Sequence, residues 1–162
     1  MRRFLAILMG DESAWADEGL PRFDDAQVSA AALMVEAARL DGTFGADERQ
    51  RIETLLERRM GLPAELARKL LEQAERRATE SVAWQGFTHA IKEALDYEGR
   101  IGVLEMLWEV VYADGYLHDY EASLLRRVAG LLYVSDRDSG EARLRVLARL
   151  GLEPERTPTT SG

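Results

Sequence analysis

The sequence predicts an all-α fold: a compact bundle of about seven or eight helices with an internal pseudo-two-fold repeat of helix-turn-helix units. Three observations predict it. Apolar residues recur three and four positions apart through most of the 162 residues, the spacing that lines one face of a helix. No run combines two-residue alternation with the turn chemistry of a strand. A pattern of glutamate, Asp-Gly and glutamate also occurs twice, each time where one helical stretch gives way to the next.

The opening residues, Met1-Arg2-Arg3-Phe4-Leu5-Ala6-Ile7-Leu8-Met9, have the look of a signal peptide, but the apolar part is short and Gly10-Asp11-Glu12 follows at once. They read as a short amphipathic helix rather than an export signal. Residues 10–25, with Gly10, Gly19 and Pro21, read as a loop. Val28, Ala31, Ala32, Val35 and Ala38 share one face of a helix near 26–40, which Asp41-Gly42 stops. Ile52, Leu55, Leu56 and Met60 mark a helix near 46–60, and Gly61-Leu62-Pro63 breaks it from the next, marked by Leu66, Leu70 and Ala74,. Val82, Trp84, Phe87, Ile91 and Leu95 mark a helix near 81–96, and Ile101, Leu104, Leu107, Trp108 and Val111 another that ends at Asp114-Gly115. Leu124, Leu125, Val128, Leu131 and Leu132 mark the next. Ser135-Asp136-Arg137-Asp138 resembles a capping box opening a last helix near 136–150,. The organisation is a short helix and loop over 1–25, a helical domain over 26–150, and a polar, proline-containing tail over 151–162 that reads as disordered,.

Composition narrows the function. The chain has no cysteine, which removes disulfides, thiolate nucleophiles and cysteine-ligated metal centres. Its net charge of -8 argues against a face that neutralises nucleic-acid phosphates. No stretch is long enough to span a bilayer. The expected compartment is the cytoplasm, with peripheral contact at the inner membrane open to the N-terminal amphipathic helix.

The repeat has an offset of 73 residues: Val35-Glu36 through Asp41-Gly42 aligns with Trp108-Glu109 through Asp114-Gly115, and Glu48 and Glu121 each fall seven residues after the aspartate. Two readings fit these units. In the first, glycine ends one helix in the left-handed conformation. The second glutamate, at the third position of the next helix, then bonds back to the N-cap amide and faces the positive end of the helix dipole. In the second, Glu36, Asp41 and Glu48, and likewise Glu109, Asp114 and Glu121, offer oxygen ligands to a hard divalent cation such as calcium or magnesium,. The spacing Asp-Gly-x5-Glu matches the second half of an EF-hand loop. Its first two ligand positions would fall on Ala37 and Arg39, then on Val110 and Tyr112, so neither unit is an EF-hand,.

Glu105 through Gly115, then Glu121, then Arg126 through Ser135, closely resemble the TerB-like family of tellurite resistance proteins, as do Glu36-Ala37-Ala38, Asp41-Gly42 and Glu48. The resemblance runs over roughly 26–150, and the second copy matches better than the first, where Arg39-Leu40 replaces a small residue and Gly45 a capping side chain. It implies a bacterial helical bundle with approximate internal two-fold symmetry, and a role in tellurite resistance and related stress responses, often within metal-linked, membrane-associated protein assemblies.

The remaining residues add little chemistry. The two histidines, His89 and His118, read as boundary and capping residues. No serine–histidine–acid grouping or phosphate loop can be assembled, and nothing in the sequence marks a pocket that would tune a carboxylate pair for catalysis, so no enzyme is expected. Trp84, Trp108 and Tyr112 read as core or groove-lining, and the cluster Tyr112, Tyr116, Tyr120 and Tyr133 suits either a protein-binding surface or aromatic packing around the second turn,. Glu57-Arg58-Arg59 and Glu75-Arg76-Arg77 read as solvated helix faces,. Two functions stay open: a metal-responsive module in a stress pathway, and a scaffold that recruits other proteins with its acidic turns serving only as caps.

Overall fold

The computed structural model describes residues 23–41, 44–80, 84–113, 115 and 117–153. They form seven α-helices: α1 (Asp25–Ala38), α2 (Ala46–Met60), α3 (Ala64–Glu80), α4 (Trp84–Ala94), α5 (Tyr97–Val111), α6 (Asp119–Leu131) and α7 (Asp136–Leu150). There is no strand among the described residues. The expected N-terminal helix and the expected disordered tail beyond Glu153 lie outside them.

Two helices are enclosed by the others. In α1 every residue from 26 to 35 is buried, and in α5 every residue from 102 to 109. A helix apolar on all sides satisfies its surface only by burial on all sides. α1 does so against α3, α4 and α5, and α5 against α7, α1 and α6. Ala30, Ala31 and Ala32 carry nothing beyond Cβ and are fully buried, which lets the neighbouring helices approach closely,. The entry to α1 is fixed by a reciprocal capping box, in which the Gln27 amide donates to Asp24 (2.8 Å) and the Asp24 amide to the Gln27 side chain (2.9 Å),.

The repeat offset reappears in the element boundaries. α1 and α5 end at Ala38 and Val111, and α2 and α6 begin at Ala46 and Asp119, both pairs 73 positions apart. α1 ends three residues before its Asp-Gly pair, with a 3₁₀ turn over Arg39–Asp41 between them. In the second copy α5 likewise ends before its Asp-Gly pair, with Tyr112 as C-cap, so the left-handed Gly115 (φ +81°) lies in the connection and does not end the helix as expected; Gly42 lies outside the described residues. At the start of α7, Ser135 accepts from the Asp138 amide (3.1 Å), but the box is not reciprocal. Asp138 instead accepts from the Tyr97 hydroxyl at 2.6 Å, which ties the start of α7 to α5 and holds this carboxyl below its ordinary pKa.

α6 ends in a Schellman motif: the Val134 amide donates to the Ala129 carbonyl (2.9 Å) and the Tyr133 amide to Gly130 (3.1 Å),. The left-handed residue is Tyr133 (φ +56°), the one non-glycine with positive φ among the described residues. The residue is 73% exposed, with the Lys92 ammonium 4.1 Å from its ring centroid. Glycine has no Cβ to clash in this conformation. Tyr133→Gly is therefore expected to stabilise the protein by about 0.5–1 kcal/mol net of the lost cation–π contact. A rise in the thermal midpoint would bear this out; a fall would mean that the ring's contacts outweigh the strain.

Candidate functional site

Each acidic turn places its second glutamate at the third position of a helix. The Gly45 amide donates to Glu48 at 3.0 Å and the His118 amide to Glu121 at 3.0 Å. Neither N-cap residue makes a side-chain cap bond, so in both turns the glutamate supplies the cap,. The His118 ring stacks on Tyr120 (5.2 Å between centroids).

Both turns open onto one cleft of about 390 Å³ between α2 and the α5–α6 connection. Glu48, Arg51, Ile52, Thr54, Leu55 and Arg58 line one side; Glu109, Val110, Val111 and Glu121 line the other, with Ala38 and Leu150 at its edges. Sequence reasoning expected no pocket here. Periodicity identifies the buried face of each helix, but not where two faces fail to meet.

The structure thus brings Glu48, Glu109 and Glu121 to the same cleft. Glu36 does not line it, and lies 3.8 Å from Arg39 in the 3₁₀ turn that follows α1. The side chain of Asp41 and the whole of Asp114 lie outside the described residues. Glu109 accepts from Arg58 (3.3 Å) and Arg149 (2.9 Å). Among the described residues no three His, Asp or Glu side chains are grouped so as to hold a metal ion. The described donors do not fit a calcium or magnesium shell, which asks for six or more oxygens around one point. Two guanidiniums beside Glu109 supply positive charge where such an ion would need to be.

One turn before Glu109 stands Glu105, which sequence reasoning overlooked. Its side chain is 7% exposed and receives Arg145 (3.0 Å), Arg149 (2.9 Å) and Arg59 (3.4 Å). Arg59 is itself only 11% exposed. Two carboxylates of α5 are therefore clasped by arginines from α2 and α7. Burial acts to raise the Glu105 carboxyl, but hydrogen bonds from Arg149 and Arg145 and the charge of Arg59 outweigh it, leaving the pKa below the ordinary glutamate value,. Burial lowers the Arg59 guanidinium. Against its own burial, the bonds to Glu105 and Glu109 raise Arg149.

Arg58 and Arg59 thereby correct the expectation that Glu57-Arg58-Arg59 is a purely solvated face. Arg58 is 62% exposed but paired, and Arg59 is inside. Glu75 likewise accepts a two-pronged bond from Arg49, joining α3 to α2. A signal for the network was present: two glutamates one turn apart in a stretch otherwise apolar on all sides demand buried partners.

A family model described as tellurite resistance protein TerB matches residues 27–144. No curated protein matches the chain, and no solved structure matches it.

Proposed function

The chain belongs to the TerB family of tellurite resistance proteins, and on that premise we propose that it is a non-enzymatic helical module that recruits other proteins, its acidic turns serving as helix caps. One observation carries this reading: the glutamates of the cleft already have work in the fold. Glu48 and Glu121 cap α2 and α6, and Glu109 binds Arg58 and Arg149. The cleft they surround is the recruiting surface. The partners are proteins of a stress-response or tellurite-resistance assembly, met in the cytoplasm at the inner-membrane face.

A second reading keeps a divalent cation, calcium or magnesium, at one or both turns. What favours it is the convergence of Glu48, Glu109 and Glu121 on one cleft. The two readings part in a calorimetric titration of the purified protein with calcium and then magnesium, beside the Asp114→Ala, Glu121→Ala double variant. The caps-only reading expects no saturable heat up to millimolar metal. It also expects the double variant to lose roughly 1–2 kcal/mol of stability through its lost cap. Saturable binding that disappears in the double variant would overturn it and make the second turn a metal site.

A further inference from the structure

We infer that the cleft between α2 and α5 receives an aspartate or glutamate side chain of a partner protein at its arginine-rich end, presented by an acidic amphipathic helix. This rests on the reading of the chain as a recruiting module, and names the chemistry of what it recruits.

Charge is unbalanced where the last turns of α2 and α7 meet on α5. Arg58, Arg59, Arg145 and Arg149 stand there against two carboxylates, Glu105 and Glu109. Four guanidiniums carry about twenty N–H donors, and two carboxylates offer about eight acceptor positions. The shortage of acceptors reaches the interior, since Arg59 Nε is buried and finds none among the described residues. Arg58, Arg145 and Arg149 are open to solvent, and Arg58 lines the cleft together with Glu109 and Leu150. A further carboxylate placed there would meet guanidiniums already held in position by the cluster.

The other charges nearby do not cancel this excess. Glu48 and Glu121 line the cleft as well, but both are bound to the amides they cap, and Arg51 lines it too. Glu48 stands ten residues before Arg58 on α2, about 15 Å along the helix. Exposed charges in physiological salt act over about 8 Å. Asp47 and Asp119 are exposed in the same first turns as Glu48 and Glu121, and Glu57, next to Arg58, does not line the cleft. The net charge of -8 belongs to the chain as a whole and is screened over the same distance, so the choice of charge is local,.

Apolar surface decides what carries the anion. Ile52 and Leu55 form the floor of the cleft, and half-buried Val110 and exposed Leu150 its apolar sides. A free inorganic anion gains from the guanidiniums alone. An amphipathic helix gains from both, because apolar residues three and four positions apart cover the sides while a flanking Asp or Glu takes a two-pronged bond from a guanidinium. The volume of about 390 Å³ admits a few side chains of such a helix,.

The test uses the full chain and two short fluorescent peptides, one an amphipathic helix of leucine and glutamate, the other with lysine in place of each glutamate. Fluorescence anisotropy at physiological salt reads the binding. The glutamate peptide is expected to bind at least about tenfold more tightly than the lysine peptide. Thr54→Glu places a carboxylate in the cleft from an exposed position of α2, four residues before Arg58, the spacing at which a helix pairs glutamate with arginine,. It supplies from within what the partner would bring, and should weaken the glutamate peptide by about tenfold. Arg58→Gln removes the most exposed of the four guanidiniums and should weaken it by about threefold or more. Gln85→Glu, the same change in charge as Thr54→Glu at an exposed position of α4 outside the cleft, should leave binding within about twofold. Equal losses in Thr54→Glu and Gln85→Glu would mean repulsion by the whole molecule, and would overturn the proposal. Unchanged binding in both Thr54→Glu and Arg58→Gln would place the peptide elsewhere and overturn it too. Tighter binding of the lysine peptide, strengthened by Thr54→Glu, would overturn it while leaving the cleft as a recruiting surface. Binding of neither peptide overturns the acidic occupant, and the caps-only recruiting reading is then decided by the metal titration.

Discussion

Glu105→Ala is expected to destabilise the protein by about 3–5 kcal/mol in denaturant unfolding, the usual cost of removing one partner from a buried ion cluster. The deletion does more than remove attraction. Arg59, 11% exposed, would lose its nearest carboxylate while remaining in a place that water does not reach freely, Arg145 would lose the acceptor that holds it on α5, and Arg149 would lose one of its two. Glu109 would then face Arg58 and Arg149 with no second carboxylate beside it. Glu105→Gln keeps the shape and one acceptor oxygen and should cost less. If Glu105→Ala cost under about 1 kcal/mol, the guanidiniums would have to swing into solvent without penalty, and the cluster would be a surface decoration rather than the link between α2, α5 and α7.

The same residue sets an acid limit. Its carboxyl lies below the ordinary value in the folded chain, so the folded state holds the ionised form more strongly than the unfolded state does. The resulting stability is fully present above the unfolded glutamate pKa of about 4.3. It is lost as pH falls through the lower folded value. Between about pH 5 and pH 3 the denaturation midpoint should therefore fall more steeply in the parent protein than in Glu105→Gln. Parallel slopes would mean that other carboxylates govern acid unfolding.

Much of the fold was legible because each element carries its own punctuation. The boundary of α2 could be placed at 46–60 from its apolar spacing and from Gly61, which is indeed left-handed (φ +68°). The offset of 73 residues between the two turns was legible because it rests on a fixed spacing of Glu, Asp-Gly and Glu. The site was less so. That Glu48 and Glu121 would cap their helices follows from position alone, since the third residue of a helix faces its own N-cap amide. That Glu48, Glu109 and Glu121 would share one cleft depends on how α2 lies against α5 and α6, and no local pattern encodes that. The arginines were misread for a related reason. Arg58 and Arg59 sit in a run whose composition is that of a solvated face. Only the glutamates of α5, residues away in sequence and opposite in charge, explain why Arg59 is inside.

Leu33→Ala should cost about 4 kcal/mol, toward the upper end for a buried leucine, because of where α1 lies. The loss has two parts: the transfer of the removed carbons, and the cavity left behind. The second depends on how far the surroundings can collapse. Leu33 is 1% exposed on a helix enclosed by α3, α4 and α5. Ala30, Ala31 and Ala32 beside it already bring the neighbouring helices close, so those helices have little room to move further inward. Leu152, partly buried after the last helix, provides the contrast. It is only half-buried and lies past the C-cap of α7, so Leu152→Ala removes less buried surface and should cost less than about 2 kcal/mol,. Denaturant unfolding of the two variants separates the cases, provided the slope with denaturant is unchanged. Equal losses would mean that the bundle relaxes around α1 as readily as at its edge, and that the enclosure of α1 contributes no rigidity. A large gap would place the mechanical centre of the protein on α1, with α5 joined to it and the cleft carried on the outer side of that joint.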